Sequence, residues 1–195
     1  CRQFGYLPIP GDRHLIEFMS SLCNVHNGFG MEYGVLKTTV DSRRLDKVLQ
    51  QRYIDDIAEG RINVDFSRSG EGIAEIIQSY LDKTEMITIC NRPNSGQITN
   101  LPMGAIVETL VKKEKDGGIT PLPAGDLPRP IHHLCYLHTG IIEAVVEAAL
   151  KGDRRLLIEA VSLDPSTGTM DFSRIPDLVD DLLKANKKWL PNFFD

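Results

Sequence analysis

Residues 85–112 constrain the fold more than any other stretch. Two strand-like runs, EMITIC (85–90) and the run that begins at Gly104 and ends near 112, flank the connector NRPNSGQITNLPM. The apolar, β-branched runs predict neighbouring antiparallel strands, with a third strand expected around 117–122. A plain hairpin needs only about two to five loop residues. This connector is longer and carries three asparagines, Asn91, Asn94 and Asn100, beside two prolines and a glycine. Loops bearing convergent polar groups on a rigid scaffold are frequent functional sites. A long turn closed by Asx hydrogen bonds is the structural alternative.

The rest of the chain reads mainly as helix. DSRRLDKVLQQRYIDDIAEG predicts a helix capped at Asp41 or Ser42 and stopped at Gly60. SGEGIAEIIQSYLD predicts a second, with Glu71 in its first turn. A long helix over PIHHLCYLHTGIIEAVVEAALKGD is expected to stop at Gly152, with an interruption possible near Gly140. Another restarts at Asp153 and ends before Pro165. A closing helix over IPDLVDDLLKANKKWLP is expected to turn Leu178, Leu182 and Leu183 inward. The segment 22–39, with NVHNGFG at its centre, reads as an irregular surface stretch or lid. The fold class is therefore α+β: helix-rich, with a small, mostly antiparallel sheet. The helices of 129–163 and 175–190 are expected to cover strands 85–90 and 104–112.

Charge and composition exclude several functions. A net charge of −5 gives no basic stripe for nucleic acid. Lys112, Lys113 and Lys115 are diluted by Glu114 and Asp116. No apolar run reaches the roughly 20 residues of a membrane span. No signal peptide is visible, and no phosphate cradle of the GxGxxG or Walker type occurs. Cys1, Cys23, Cys90 and Cys135 lack metal-type spacing, so no metal ligand is expected among them. They read as reduced thiols, which points to a cytoplasmic setting.

Several pieces, in order, resemble glycoside hydrolase family 4. They are FGYLPIPGDRHLIEF (4–18), SGEGIAEII (69–77), CNRPNSGQITNLPMGAIVE (90–108), EAALKGDRRLLIEAVSLDP (147–165) and DLLKANKKWLPNF. That family contains NAD- and manganese-dependent α-galactosidases, α-glucosidases, α-galacturonidases and 6-phospho-glycosidases. The resemblance covers nearly the whole chain and is weakest at 22–68. It implies a lactate/malate-dehydrogenase-like C-terminal domain over 1–195, on the substrate side, with the Rossmann NAD-binding domain and the principal metal ligands outside this chain. Family 4 departs from the two-carboxylate scheme of most glycosidases. The resemblance implies oxidation at C3 of the sugar, deprotonation at C2, elimination of the aglycone and addition of water.

By the same resemblance Asp12 stands where some α-specific members carry the base, with helix N-capping as its alternative role. His14 and Glu17, three apart on one helical face, could orient a ligand or make a structural hydrogen bond. Asn91, Asn94 and Asn100 are implied at the sugar and nicotinamide site, with Asn94 expected to face the ligand and Asn100 to be partly structural. His132, His133 and His138 fall on different helical faces and are not expected to form a site. The expected partner is a small-molecule glycoside, an α-galactoside or α-galacturonide. The resemblance implies a homodimer or homotetramer and predicts that this chain alone is inactive. A non-catalytic sugar-binding module and a malate-dehydrogenase-type substrate domain are the competing readings.

Overall fold

The computed structural model describes residues 16, 18–35, 39–64 and 72–194. Five α-helices and one three-stranded sheet make up the regular structure there. In chain order they are α1 (Val40–Ala58), α2 (Ile73–Leu81), β1 (Met86–Pro93), β2 (Ile106–Lys113), β3 (Ile119–Pro121), α3 (Arg129–Lys151), α4 (Arg154–Leu163) and α5 (Ile175–Ala185). The helix-rich α+β class expected from the sequence is the one observed.

The sheet has the order β1-β2-β3, both pairs antiparallel. Met86 pairs with Lys113 and Pro93 with Ile106, so the connector begins where the ladder ends. Strand residues alternate between faces. Val107, Thr109, Val111 and Lys113 of β2 point to the buried side. Lys113 is only 3% exposed. Its ammonium donates to the Ser79 carbonyl at 2.6 Å and the Thr84 carbonyl at 2.9 Å, and lies over the Tyr80 ring. A buried cation needs such acceptors, and here they are the carbonyls at the end of α2, where the helix dipole is negative. Lys113 thereby ties β2 to α2.

Val107 joins Ile98 and Leu101 in one apolar cluster, against which Cys135 of α3 and Leu127 pack. α3 runs unbroken through Gly140 and stops at Gly152, in a left-handed conformation with φ 68°. A single glycine costs a helix interior only about 1 kcal/mol, and α3 runs across Gly140 with open space beside it. A side chain at Gly152 would collide with the Asn192 carbonyl. The Asn192 amide donates to the carbonyls of Ala149 and Leu150, both at 3.1 Å, closing the helix end.

Several boundaries differ from expectation. Thr39, not Asp41 or Ser42, caps α1, accepting from the Ser42 N–H at 3.0 Å. A β-branched cap hydroxyl does the same work as the acidic one. α5 turns Ile175, Val179 and Leu183 inward, an i, i+4 ladder, and leaves Leu182 exposed. It packs on Leu157, Ile158 and Val161 of α4. It is thus an outer helix on α4 and not a cover of the sheet. Glu71 lies outside the described residues, and the first-turn acid of α2 is Glu75. The stretch 22–35 consists of two short 3-10 turns, Val25–Asn27 and Met31–Tyr33.

Candidate functional site

The candidate site is the loop from Asn94 to Ala105. Its backbone continues the ladder for one more step: the Asn94 N–H donates to the Ala105 carbonyl at 2.7 Å, and the Gly104 N–H to the Asn94 carbonyl at 2.8 Å. Between those bonds the chain bulges away from the sheet, and its interior must satisfy its own polar groups.

Asn94 does most of that. Its side chain is 2% exposed. The amide nitrogen donates to the carbonyls of Ile98 (2.9 Å), Leu101 (3.0 Å) and Pro102 (3.1 Å). Its oxygen accepts from the N–H groups of Gly96 (3.3 Å) and Ile98 (3.1 Å). An asparagine amide has two donor hydrogens and two acceptor lone pairs. All are engaged, so the side chain expected to face a ligand is saturated by its own loop. Any influence it has on binding passes through the shape it imposes.

Gln97 plays a matching part and was not singled out from the sequence. It is 4% exposed; its oxygen accepts from the Ser95 N–H at 2.6 Å and its nitrogen donates to the Pro93 carbonyl at 3.1 Å. The only sequence signal was a second amide inside an apolar-flanked loop.

Asn100 anchors the loop from outside. Its amide donates to the Leu127 carbonyl at 2.8 Å and accepts from the Leu127 N–H at 2.9 Å. The Gln97 carbonyl accepts from Ala124 and Gly125, Ile98 bridges Gly125, and the Thr99 hydroxyl donates to the Asp126 carboxylate. The loop is thereby fixed to the segment that leads into α3. Asn91 lies on β1 with its side chain exposed, donating weakly to Glu108 across the strand pair at 3.4 Å. The three asparagines do not converge on one point: Asn94 looks inward, Asn100 towards Leu127, and Asn91 towards solvent.

Asp12, His14 and Glu17, together with Tyr6, lie outside the described residues. His132 and His133 are ring neighbours on α3 at 5.2 Å, whereas His138 meets Phe18 edge-on at 4.7 Å. Among the described residues no three His, Cys, Asp or Glu side chains stand where they could share a metal ion. Cys23, Cys90 and Cys135 are free thiols, and burial raises the pKa of Cys135 above the ordinary thiol value. No helix among the described residues is long and apolar enough to cross a membrane.

The model of the family 4 glycosyl hydrolase C-terminal domain matches residues 1–167. An alpha-galacturonidase of Lachnoclostridium phytofermentans is 34% identical over 97% of this chain and 41% of its own length. An alpha-galactosidase of Bacillus subtilis is 30% identical over 98% of this chain and 44% of its own. The crystal structure of lplD from Bacillus subtilis superposes with a TM-score of 0.80 at 30% identity, covering 93% of this chain and 41% of that one. A Thermotoga maritima 6-phospho-beta glucosidase, solved with manganese, NAD+ and glucose-6-phosphate, shares the fold with a TM-score of 0.62 at 21% identity. The chain thus spans about two fifths of the length of these relatives. On the match to its C-terminal domain, the chain belongs to glycosyl hydrolase family 4.

Proposed function

We propose that this chain is the substrate-side domain of an NAD- and manganese-dependent glycosidase that hydrolyses an α-galacturonide. The observation that carries the reading is the loop 94–105, whose shape is fixed from inside by the amides of Asn94 and Gln97 at the end of the β1–β2 ladder, in a chain of family 4. The relatives named alpha-galacturonidase at 34% and 31% identity support the uronide over the galactoside.

The described residues do not fit a manganese first shell, and the sequence has no dinucleotide fingerprint. What this chain contributes is position. Asn94 and Gln97 hold the loop's shape, and Asn100 fixes that shape to the start of α3. Asn91 offers an exposed amide able to pair with a hydroxyl. Asp12 is proposed as the base that takes a proton from the sugar, with His14 and Glu17 orienting the ligand beside it. The free thiols of Cys23, Cys90 and Cys135 support a cytoplasmic, reducing setting.

The test uses the product of the complete reading frame, with NAD and manganese supplied. Release of nitrophenol from an aryl α-galacturonide is expected to exceed release from the α-galactoside by about tenfold or more in kcat/KM. Replacing Asp12 by Asn is expected to lower kcat by about 10²-fold. Equal turnover of both glycosides removes the uronide assignment, and no turnover of either removes the glycosidase reading.

A further inference from the structure

Asp12, His14 and Glu17 belong to a segment, 12–18, whose described residues, Ile16 and Phe18, are both held by parts of the chain outside it. Ile16 is 8% exposed, and its carbonyl accepts from the Met19 N–H at 3.1 Å, closing a turn. Phe18 meets the His138 ring of α3 edge-on. Just beyond, Ser20 lies against the turn at Gly168, where an added Cβ would come within 3.2 Å of the Ser20 Cβ. Close-packed interiors hold few voids, so they pass a displacement on rather than absorb it.

The tightest of these contacts is at Gly30. Its φ is 93°, in the left-handed region that only glycine enters freely. Its carbonyl accepts from the N–H groups of Tyr33 at 3.0 Å and Val35 at 3.2 Å, which hold its backbone in place. A side chain at this position would collide with the Cδ1 of Ile16. Ile16 is β-branched and stiff about χ1, so it has few ways to step aside. It occupies the volume that a Cβ at position 30 would take.

We propose that Gly30 is a positioning residue for the reaction. By leaving its side-chain volume to Ile16, it sets where the segment of Asp12, His14 and Glu17 lies against the sugar. Such a role presupposes the glycosidase reading, with Asp12 as the base. In the sequence Ile16 directly precedes Glu17 and follows His14 and Asp12 within a few positions, so a shift at Ile16 passes along a short backbone to all three. A misplacement of about 1 Å in a reacting group can cost about 10²-fold in rate. The glycine-rich stretch that reads as an irregular surface or lid thereby acquires a defined task, through the side chain that Gly30 lacks.

The experiment is a double-mutant cycle in the product of the complete reading frame. NAD and manganese are supplied, and the substrate is whichever of the aryl α-galacturonide and α-galactoside turns over faster. Gly30→Ala is expected to lower kcat about tenfold or more, with KM changed less. Ile16→Val removes the Cδ1 that the new methyl would strike. In that background Gly30→Ala is expected to change kcat by about twofold or less. The φ strain of alanine is common to both backgrounds and lowers the melting temperature in both. Only the contact with Ile16 separates the two kcat values, read per folded molecule well below melting. An unchanged kcat in Gly30→Ala overturns the proposal, whatever its melting temperature. So does an equal loss of kcat in both backgrounds, which traces the effect to the strained backbone. Should Gly30→Ala not fold, Ile16→Ala empties the same contact from the other side. It is expected to lower kcat about tenfold, and an unchanged kcat there also overturns the proposal. A wild type that turns over neither glycoside removes the glycosidase reading and this role with it. An active wild type with any of the other failures removes the role of Gly30 alone.

Discussion

Two asparagine- and glycine-rich stretches look alike in the sequence and behave differently in the molecule. NVHNGFG (24–30) is held together locally. Asn24 and Asn27 form a reciprocal capping box around one 3-10 turn, and Asn27 also accepts from the Gly30 N–H at 3.1 Å and donates to the Ser21 carbonyl at 3.3 Å. No bond in that set reaches beyond six residues. NRPNSGQITN (91–100) contains one local knot, around Asn94, and a set of long ties to residues 124–127, among them the paired bonds of Asn100 to Leu127, 27 positions away. The same residue type can thus close a turn or fasten two parts of a domain. Which one it does depends on where the neighbouring chain returns.

Substitutions can sharpen or break that contrast. The largest effect is expected at Asn94. Removing its amide leaves the buried Ile98 N–H, the Gly96 N–H and the Leu101 carbonyl without partners, at a cost of about 3 kcal/mol, given 1–3 kcal/mol per unsatisfied group. Asn94→Ala in the complete protein should therefore lower both the melting temperature and kcat/KM, because the loop loses its shape. A fall in kcat/KM with an unchanged melting temperature would show a side chain that reaches the ligand after all. Asn100→Ala should cost less, about 1–2 kcal/mol. Asn100→Asp keeps the bond from the Leu127 N–H but sets a carboxylate oxygen against the Leu127 carbonyl, so it should be no better than Ala. An Asp variant as stable as wild type would show that the bond to that carbonyl contributes nothing.

Asn27→Ala should cost about 1 kcal/mol, the ordinary scale of a lost cap, and leave kcat/KM alone if 24–30 is only scaffold. A loss of activity there would give the segment a share in the site. The smallest effect is expected for the exposed pair Arg154–Asp180, whose guanidinium nitrogens meet the carboxylate at 2.6 and 2.9 Å. The hydrogen bond from Arg154, helped by its charge, lowers the Asp180 pKa below the ordinary carboxylate value. The folded state then favours the ionised form, so its contribution is present above pH about 4 and fades as the pH falls through the lowered value. Asp180→Asn should match wild type in acid and melt slightly earlier near neutrality. A gap that widens on acidification would contradict the sign.

Much of this fold was legible from period and punctuation. Strand alternation and the stop at Gly152 depend on nearest neighbours: Gly152 ends α3 as expected, and the two strands pair as expected but run at 86–93 and 106–113, so that Asn91, Arg92 and Pro93, read as connector, extend β1. Legibility fails where a choice depends on remote packing. Leu182 and Val179 are equally apolar, and only the position of α4 decides that Val179 is buried. Gly140 could have broken α3, but a lone glycine costs a helix only about 1 kcal/mol, and the helix runs across it. The role of Asn94 was hidden for a similar reason. A polar side chain in a polar loop suggests an outward task, and its inward one exists only because Leu101 and Pro102 fold back over it. Asp12, His14 and Glu17, drawn from the resemblance, lie outside the described residues and stand as proposals.

The clasp between Asn192 and the end of α3 also bears on how the chain is made. During synthesis the carbonyls of Ala149 and Leu150 emerge well before their capping amide, which follows 43 and 42 positions later. Until then the end of α3 has only its local closure, the N–H groups of Gly152 and Asp153 on the Ala148 carbonyl. The asparagine loop and its tie to Leu127, by contrast, are complete before α3 has begun to leave the ribosome. The nascent chain therefore has the partners of its candidate loop in hand well before it can clasp the end of α3.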